Sequence, residues 1–582
     1  MLHWKSQTFS FAAGLATALL LFFVLVKNDM EKAEAIIDPG TVAEAQKLLN
    51  LHFNEAKRDS MMNGLQDNLG RYASLRGHDL PNEVIPALRF DPFIPGRLPD
   101  TVQMPLHWRL PESVVLPDDR NELAFFTVEK LAALMRDRKI TSMELTELFF
   151  ERISRYDDKL LTVVTLTKEI ALEQARRADD EMARGMYRGP LHGIPYGSKD
   201  LLALEGYPAT WGSEIYRDQM IDGTAMVIRK LEEAGAVHIA KMSLGELAWG
   251  DVWFGGMTRS PWNTDWGSSG SSAGSASAVA AGLVAFAIGS ETLGSIVSPS
   301  TRNGVTGLRP SFGRVSRQGA MALSWSMDKI GPITRSAHDA AIVFSAMHGS
   351  GVGDYGANDI RPSGSNPHRD PTVFDYPFNY NPDFDFANRK IGYVEAAFEM
   401  DYGYREFDRL VLDVLKSLGA ELVPISLPDL PLDAMSIILT VEAAAAFDEL
   451  TRSGRDSLMV RQIKNAWPNV FRTARFVPAV EYIQANRMRT LLMHQMKDAI
   501  SGVDVYVSPS FAGGNLLITN LTGHPAVSVP TGFDPETGLP ASITFNGHLF
   551  DEGTVLSLAR AFQDATGHHQ RIPESFLDAN TD

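Results

Sequence analysis

Between Gly267 and Pro310 the chain reads GSSGSSAGSASAVAAGLVAFAIGSETLGSIVSPSTRNGVTGLRP, and no other stretch so narrows what it can fold into. The first half is almost entirely Gly, Ser and Ala. The apolar run Leu283–Ile288 then leads into a second Gly/Ser turn, Gly289–Ser295. Residues without bulk let backbones approach closely and let turns reach dihedrals closed to larger side chains. They also leave backbone N–H groups uncovered, as an anion or oxyanion site requires. A linker or a tightly packed small-residue helix would share this composition. A flexible linker, however, has no reason to carry the apolar run and Thr306-Gly307-Leu308-Arg309-Pro310 in one block. Composition alone leaves a functional loop and a structural one in balance.

Spacing adds what composition lacks. Gly270-Ser271-Ser272-Ala273-Gly274-Ser275-Ala276 is followed by Gly289-Ser290-Glu291-Thr292-Leu293-Gly294-Ser295-Ile296, so that Ser271 and Ser295 stand 24 residues apart. Upstream lies Gly193-Ile194-Pro195-Tyr196-Gly197-Ser198-Lys199-Asp200. In this order and spacing the three motifs resemble those of the amidase signature family, the Ser–Ser–Lys amide hydrolases, and the likeness runs from about Asn121 to about Ile572. The resemblance implies an α/β fold with a large mixed sheet covered by helices on both sides. It makes Ser295 the nucleophile, Ser271 (on a cis Gly270–Ser271 bond) the relay, and Lys199 the base and then the acid. The oxyanion donors it implies are the backbone N–H groups of Thr292, Leu293, Gly294 and Ser295. The chain departs from the family pattern at three places: Leu293 replaces a glycine, Glu291 an aspartate, and Val297 an arginine often found there.

The chemistry sets its own demands. A serine hydroxyl attacks a carbonyl only if a base removes its proton, and a lysine is a base only when neutral. Its reference pKa is about 10.4, so burial must lower it by several units. Ile194-Pro195-Tyr196 before Lys199 and Leu201-Leu202 after it are suitably apolar. Competing motifs lack their context. Gly270-Ser271-Ser272-Ala273-Gly274 fits the G-x-S-x-G elbow, which would make Ser272 the nucleophile, but Thr264–Ser269 before it does not read as a strand. Ser326-Met327-Asp328-Lys329 fits S-x-x-K, yet no K-T-G follows. His568-His569 reads as a surface pair, with no acidic cluster beside it.

Phe9–Val26 is apolar apart from Ser10 and Thr17, long enough to cross a bilayer and slightly long for a signal-peptide core. An uncleaved anchor at the N-terminus is the favoured expectation. A cleaved signal, with Ala33-Glu34-Ala35 as cleavage site, is the alternative, and a buried helix the third option. Either of the first two places the enzyme body outside the cytoplasm, membrane-anchored or in the periplasm or medium. The expected division is an anchor or signal over 1–30, a helical and irregular extension over 31–120, and an amidase domain over 121–582. Ala45, Leu48, Leu49 and Phe53 have helical spacing, whereas eight prolines between Pro81 and Pro117 break any regular element.

A net charge of −17 argues against nucleic acid, and the absence of cysteine excludes disulfides, a thiol nucleophile and Cys-ligated metals. No cofactor or metal is expected. The expected partner is a small-molecule or peptide amide, with room for a homodimer and, if the N-terminal segment is retained, a membrane. Helices are expected over Thr127–Arg138, Thr141–Tyr156, Ala225–Ala234 and Tyr404–Leu418. Strands are expected over Ile194–Gly197, Val237–Ala240, Leu283–Ile288, Ile391–Val394, Leu422–Ile425, Val503–Val507 and Ala526–Val529, and a long surface loop over Gly349–Phe386. The favoured activity is that of a stand-alone amidase cleaving a linear carboxylic amide. The resemblance also covers the glutaminase component of tRNA-dependent amidotransferases, whose Ser-Arg-Tyr-Asp-Gly run Ala446–Arg452 does not reproduce. A binding protein that keeps the fold without activity is the reading from another class.

Overall fold

A computed structural model describes residues 37–78, 80–93, 101–351, 369–386 and 389–577. The apolar run Phe9–Val26, Ala33-Glu34-Ala35 and part of the Gly349–Phe386 loop lie outside these residues. Among the described residues no helix is long and apolar enough to cross a membrane. The chain divides into two compact units between Leu80 and Pro81. The first holds the helices Pro39–Leu48 and Glu55–Arg76, capped by the side chains of Asp38 and Asn54. Of the residues with helical spacing, Ala45 and Leu48 lie in the first helix, Leu49 caps it, and Phe53 falls between the two helices.

The second unit is built on an eleven-stranded mixed sheet. From one edge its order is Val163–Leu166, Val237–Met242, Pro195–Lys199, Phe286–Glu291, Lys329–Thr334 and Thr306–Arg309, then Ala526–Phe533, Pro540–Gly547, Val505–Pro509, Lys390–Val394 and Glu421–Ile425. The Pro195 strand runs parallel to its Val237 and Phe286 neighbours, with Tyr196 opposite Phe286 and Ser198 opposite Ile288. From Lys329 to Val505 the pairing is antiparallel. The Lys390 strand is then parallel to both Val505 and Glu421. Each of the seven strands expected from apolar runs exists, displaced by a few residues. The Leu283 run becomes a strand only from Phe286 and continues through the polar Gly289-Ser290-Glu291.

Helix signals act locally. Ser142–Leu160 begins at a reciprocal cap in which Thr141 accepts from the Glu144 N–H and Glu144 accepts from the Thr141 N–H. Its face Leu145, Phe149, Ile153, Tyr156 and Leu160 is buried. From the same helix the buried Arg152 reaches the far end of Ala273–Ala280, donating through Nε to Gly282 O at 2.7 Å and through Nη2 to Ala281 O at 2.9 Å. Arg335 donates to Val279 O and Ala280 O at 3.0 and 3.2 Å. Two cations thus satisfy carbonyls that any helix leaves unpaired at its C-terminus, on a helix with no polar side chain of its own to do so there. That helix carries the serine loop at its other end.

Candidate active site

Lys199 is the last residue of the Pro195–Lys199 strand, buried along its whole length. Because the neighbouring Phe286–Glu291 strand is parallel, both end at the same edge of the sheet, and the turn to Ser295 leaves from that edge. Open α/β sheets bind ligands at such carboxyl ends. Asp200 fixes the lysine's backbone: its carboxylate pairs with Lys241 Nζ at 2.6 Å, neither side chain exposed, and its N–H donates to Met242 O at 2.9 Å.

The Lys199 amine is surrounded by hydroxyls. Nζ donates to Ser271 Oγ at 2.8 Å, Ser290 Oγ at 2.9 Å and Ser272 Oγ at 3.0 Å, and lies 3.3 Å from Ser290 O. Burial lowers its pKa to about 7, against the pull of Asp328 and Glu291. Ser272 Oγ also accepts from the Ser290 N–H and donates to Ser290 O, both at 3.1 Å, which ties the serine loop to the strand end.

The Gly270–Ser271 peptide bond is cis, and Gly270 allows no substitute: a Cβ there would sit 1.8 Å from Gly250 O. The Ser272 N–H donates to Ser295 O at 3.2 Å, so the two serine segments are joined through backbone. Ser271 is 1% exposed and Ser295 9%, which puts Ser295 on the solvent side of the group.

In the turn before Ser295 the left-handed residue is Gly294, with φ +82°. Leu293 is not among the residues of positive φ, so its side chain costs the turn no backbone strain. Thr292 Oγ1 donates to Asp328 Oδ1 at 2.6 Å, and the other oxygen of Asp328 accepts from the Leu323 and Ser324 N–H groups. Glu291 reaches across the turn: Oε2 accepts from the Ile296 N–H at 2.8 Å and the Val297 N–H at 3.0 Å. Its Oε1 accepts from Arg309 Nη1 at 3.0 Å and Asn520 Nδ2 at 2.8 Å. Burial pushes this carboxyl up, but Arg309, the Val297 N–H, Lys329 and Asn520 outweigh it and hold the pKa at about 2. Arg309 therefore supplies a cation to this carboxylate in a chain where position 297 is valine.

Lys199 and Ser271 are thus brought into direct contact, with the turn Thr292-Leu293-Gly294-Ser295 beside them. Ser290, Asp328 and Arg309 join the site unannounced, and Ser272, weighed in the sequence only as a rival nucleophile, joins it as a partner of the lysine. Ser272 and Ser290 sit inside motifs already singled out, while Asp328 and Arg309 carry no local signal of their role. Contrary to the expectation for Thr264–Ser269, Asn263–Gly267 before Gly270 is a strand, paired with Arg259–Ser260. It is polar, partly exposed and outside the main sheet, because its register is set by a tight two-strand ribbon and not by core packing. Ser326 and Lys329 do not face one another as S-x-x-K chemistry needs: Ser326 Oγ donates to Glu442 Oε1 at 2.7 Å, and Lys329 Nζ to Met327 O. No cluster of three or more His, Asp or Glu placed to hold a metal occurs among the described residues.

Known proteins share this architecture. The glutamyl-tRNA(Gln) amidotransferase of Moorella thermoacetica contains a subunit 33% identical to this chain over 500 residues, covering 78% of this chain and 99% of the relative. The native peptide amidase of Stenotrophomonas maltophilia superposes with a TM-score of 0.65 at 29% identity, over 76% of this chain and 97% of its own. An amidase family protein of Bacillus anthracis superposes with a TM-score of 0.66 at 26% identity, over 78% and 93%. The sequence profile of the Amidase family matches residues 144–516, and the chain belongs to that family.

Proposed function

We propose that the chain hydrolyses a linear carboxylic amide through an acyl-enzyme on Ser295. The contact of 2.8 Å between Lys199 Nζ and Ser271 Oγ, made by an amine held near pKa 7, carries this reading. At neutral pH about half of such amines are unprotonated. Ser295 Oγ attacks the carbonyl carbon; its proton passes to Ser271 Oγ, whose own proton passes to Lys199 Nζ. The oxygen that gains charge is met by the N–H groups of Thr292, Leu293, Gly294 and Ser295. The C–N bond then breaks as Lys199 returns the proton through Ser271 to the leaving nitrogen. Water attacks the acyl ester, loses its proton along the same route, and Ser295 recovers its own.

A fluorophosphonate probe tests the nucleophile directly. Its phosphorus bonds to an activated serine Oγ and fluoride leaves, so the wild type is expected to gain one adduct on the Ser295 peptide and Ser295→Ala none. No adduct on either protein would leave the fold as a binding scaffold.

The similarity to the peptide amidase supports a peptide or small amide as substrate. The similarity to the amidotransferase component supports a second reading, a glutaminase that works with partner subunits. Ammonia release from glutamine, set against turnover of peptide and aryl amides, separates the two. We also propose that Phe9–Val26 places the enzyme at or beyond a membrane. Deleting Met1–Lys27 is expected to release an active protein into the soluble fraction, and an inactive folded product would refute anchoring as the segment's sole task.

A further inference from the structure

A cavity of about 280 Å³ opens beside the candidate active site. On one side it is walled by Leu201, Ser290 and Thr292, two of which the site already uses: Ser290 Oγ accepts from Lys199, and Thr292 belongs to the turn before Ser295. Another part of its lining comes from far earlier in the chain. Asn82, Glu83 and Ile85 close it, and they precede residue 144, where the family match begins.

This outer wall is fastened. Asn82 uses its whole side-chain amide on one backbone unit: Nδ2 donates to Ala322 O at 2.9 Å, and Oδ1 accepts from the Ala322 N–H at 2.6 Å. Trp325 Nε1 reaches Asn82 O at 3.4 Å. Downstream, Phe90 packs edge-on against Phe312 with centroids 5.0 Å apart, beneath the Arg489 guanidinium, and Phe93 stacks on Phe550. Between these anchors, Ile85 is 43% exposed at the rim of the cavity. The wall is also tied to the turn. Leu323, next to Ala322, donates its N–H to the same Asp328 that accepts from Thr292 Oγ1.

We propose that the Asn82–Ile85 strap is a specificity determinant, setting how large a substrate group the cavity accepts. The inference rests on the amide-hydrolase reading of the site and names its substrate class: amides carrying a compact, uncharged, mainly apolar group. Four of the five charged side chains that line the cavity are engaged by protein, Lys329 through Met327 O. Asp328 accepts from Thr292, Asp370 from Ser316 and Thr372, and Arg317 donates to Trp325 O. Much of the remaining surface is Leu201, Ala248, Met321, Leu323 and Ile330. Glu83 at the outer wall adds negative charge, which works against a substrate bearing a carboxylate there.

Binding measured without turnover tests this independently of catalysis. Linear aliphatic primary amides of two to ten carbons are titrated into the full chain carrying Ser295→Ala, alone and with Asn82→Ala or Ile85→Trp. Affinity is expected to rise with length to a break and then fall. Asn82→Ala should move the break to longer amides and tighten the longest at least tenfold, and Ile85→Trp should move it to shorter ones. Because Ile85 is exposed, the tryptophan variant remains informative if the alanine variant fails to fold. An unmoved break in a folded variant, or no binding by any amide, overturns the proposal. A break that moves while the wild type hydrolyses none of the series keeps the strap and refutes the catalytic reading.

Discussion

Replacing Lys199 by alanine is expected to lower kcat/KM for an amide by about 10⁴-fold, and for an ester of the same acyl group by about 10²-fold. The amine serves twice in amide cleavage, taking the proton of Ser295 and then giving one to the nitrogen. An amine anion is too basic to leave unprotonated, whereas an alkoxide, and more so a phenoxide, leaves with less help. The ester therefore loses mainly the base. Equal losses on both substrates would remove Lys199 from the acid role. The wild-type pH profile gives a second reading of the same group. With a folded pKa of about 7 the amine is protonated and idle in acid, so kcat/KM is expected to climb from pH 6 to 8 with an apparent pKa near 7. Stability has the same sign. The unfolded lysine titrates near 10.4, so between about pH 7 and 10.4 the unfolded chain holds more protons than the folded one. Folding gains as pH rises through that window and carries the full cost of the buried amine below it. Lys199→Met should flatten this slope while abolishing activity, which a purely structural lysine would not do.

The residues that meet at the candidate site were more legible in this sequence than the architecture around them. Lys199, Ser271 and the Ser295 turn are written in small residues at fixed separations, because contacts that close tolerate almost no substitution, as the space around Gly270 shows. Apolar runs located seven strands, since strands buried on both faces need little else. Four others of the eleven-stranded sheet were hidden. Lys329–Thr334 contains Gly331 and Pro332, which argue against a strand locally, yet it pairs over five residues with Phe286–Glu291. Thr306–Arg309 is short and half polar, and ends in a buried arginine whose partner lies on another strand. Val163–Leu166 is an edge strand of four residues, only partly buried. Pro540–Gly547 alternates apolar and polar residues and is buried throughout. Pro540–Gly547 folds back as a hairpin on Ala526–Phe533 just before it, whereas for the first three the deciding contact is distant in sequence. The same holds for Asp328 and Arg309, and for the strap, where a single asparagine meets a backbone unit 240 residues away.

Glu291→Ala is expected to cost about 3–5 kcal/mol of folding stability and to lower kcat by about 10²- to 10³-fold in whatever protein still folds. The first effect follows from burial. Glu291 and Arg309 are fully unexposed and 3.0 Å apart, so removing the carboxylate leaves a guanidinium without its counter-charge, along with the Ile296 and Val297 N–H groups. The second follows from position, since those two N–H groups come directly after Ser295 and hold the turn whose own N–H groups must face the developing oxyanion. Folded Glu291 titrates near 2 and an unfolded glutamate near 4.3, so its contribution is complete above about pH 4.3 and disappears as pH falls towards 2. Two units correspond to roughly 3 kcal/mol. Urea midpoints should therefore fall less steeply between pH 5 and 3 for Glu291→Gln than for the wild type. A double substitution, Glu291→Gln with Arg309→Met, should recover part of the stability lost by the single change, because it removes both buried charges together. It should not recover kcat, since the glutamine leaves the two N–H groups with a weaker acceptor. Recovery of kcat along with stability would show that the carboxylate only balances Arg309 and does not aim the turn.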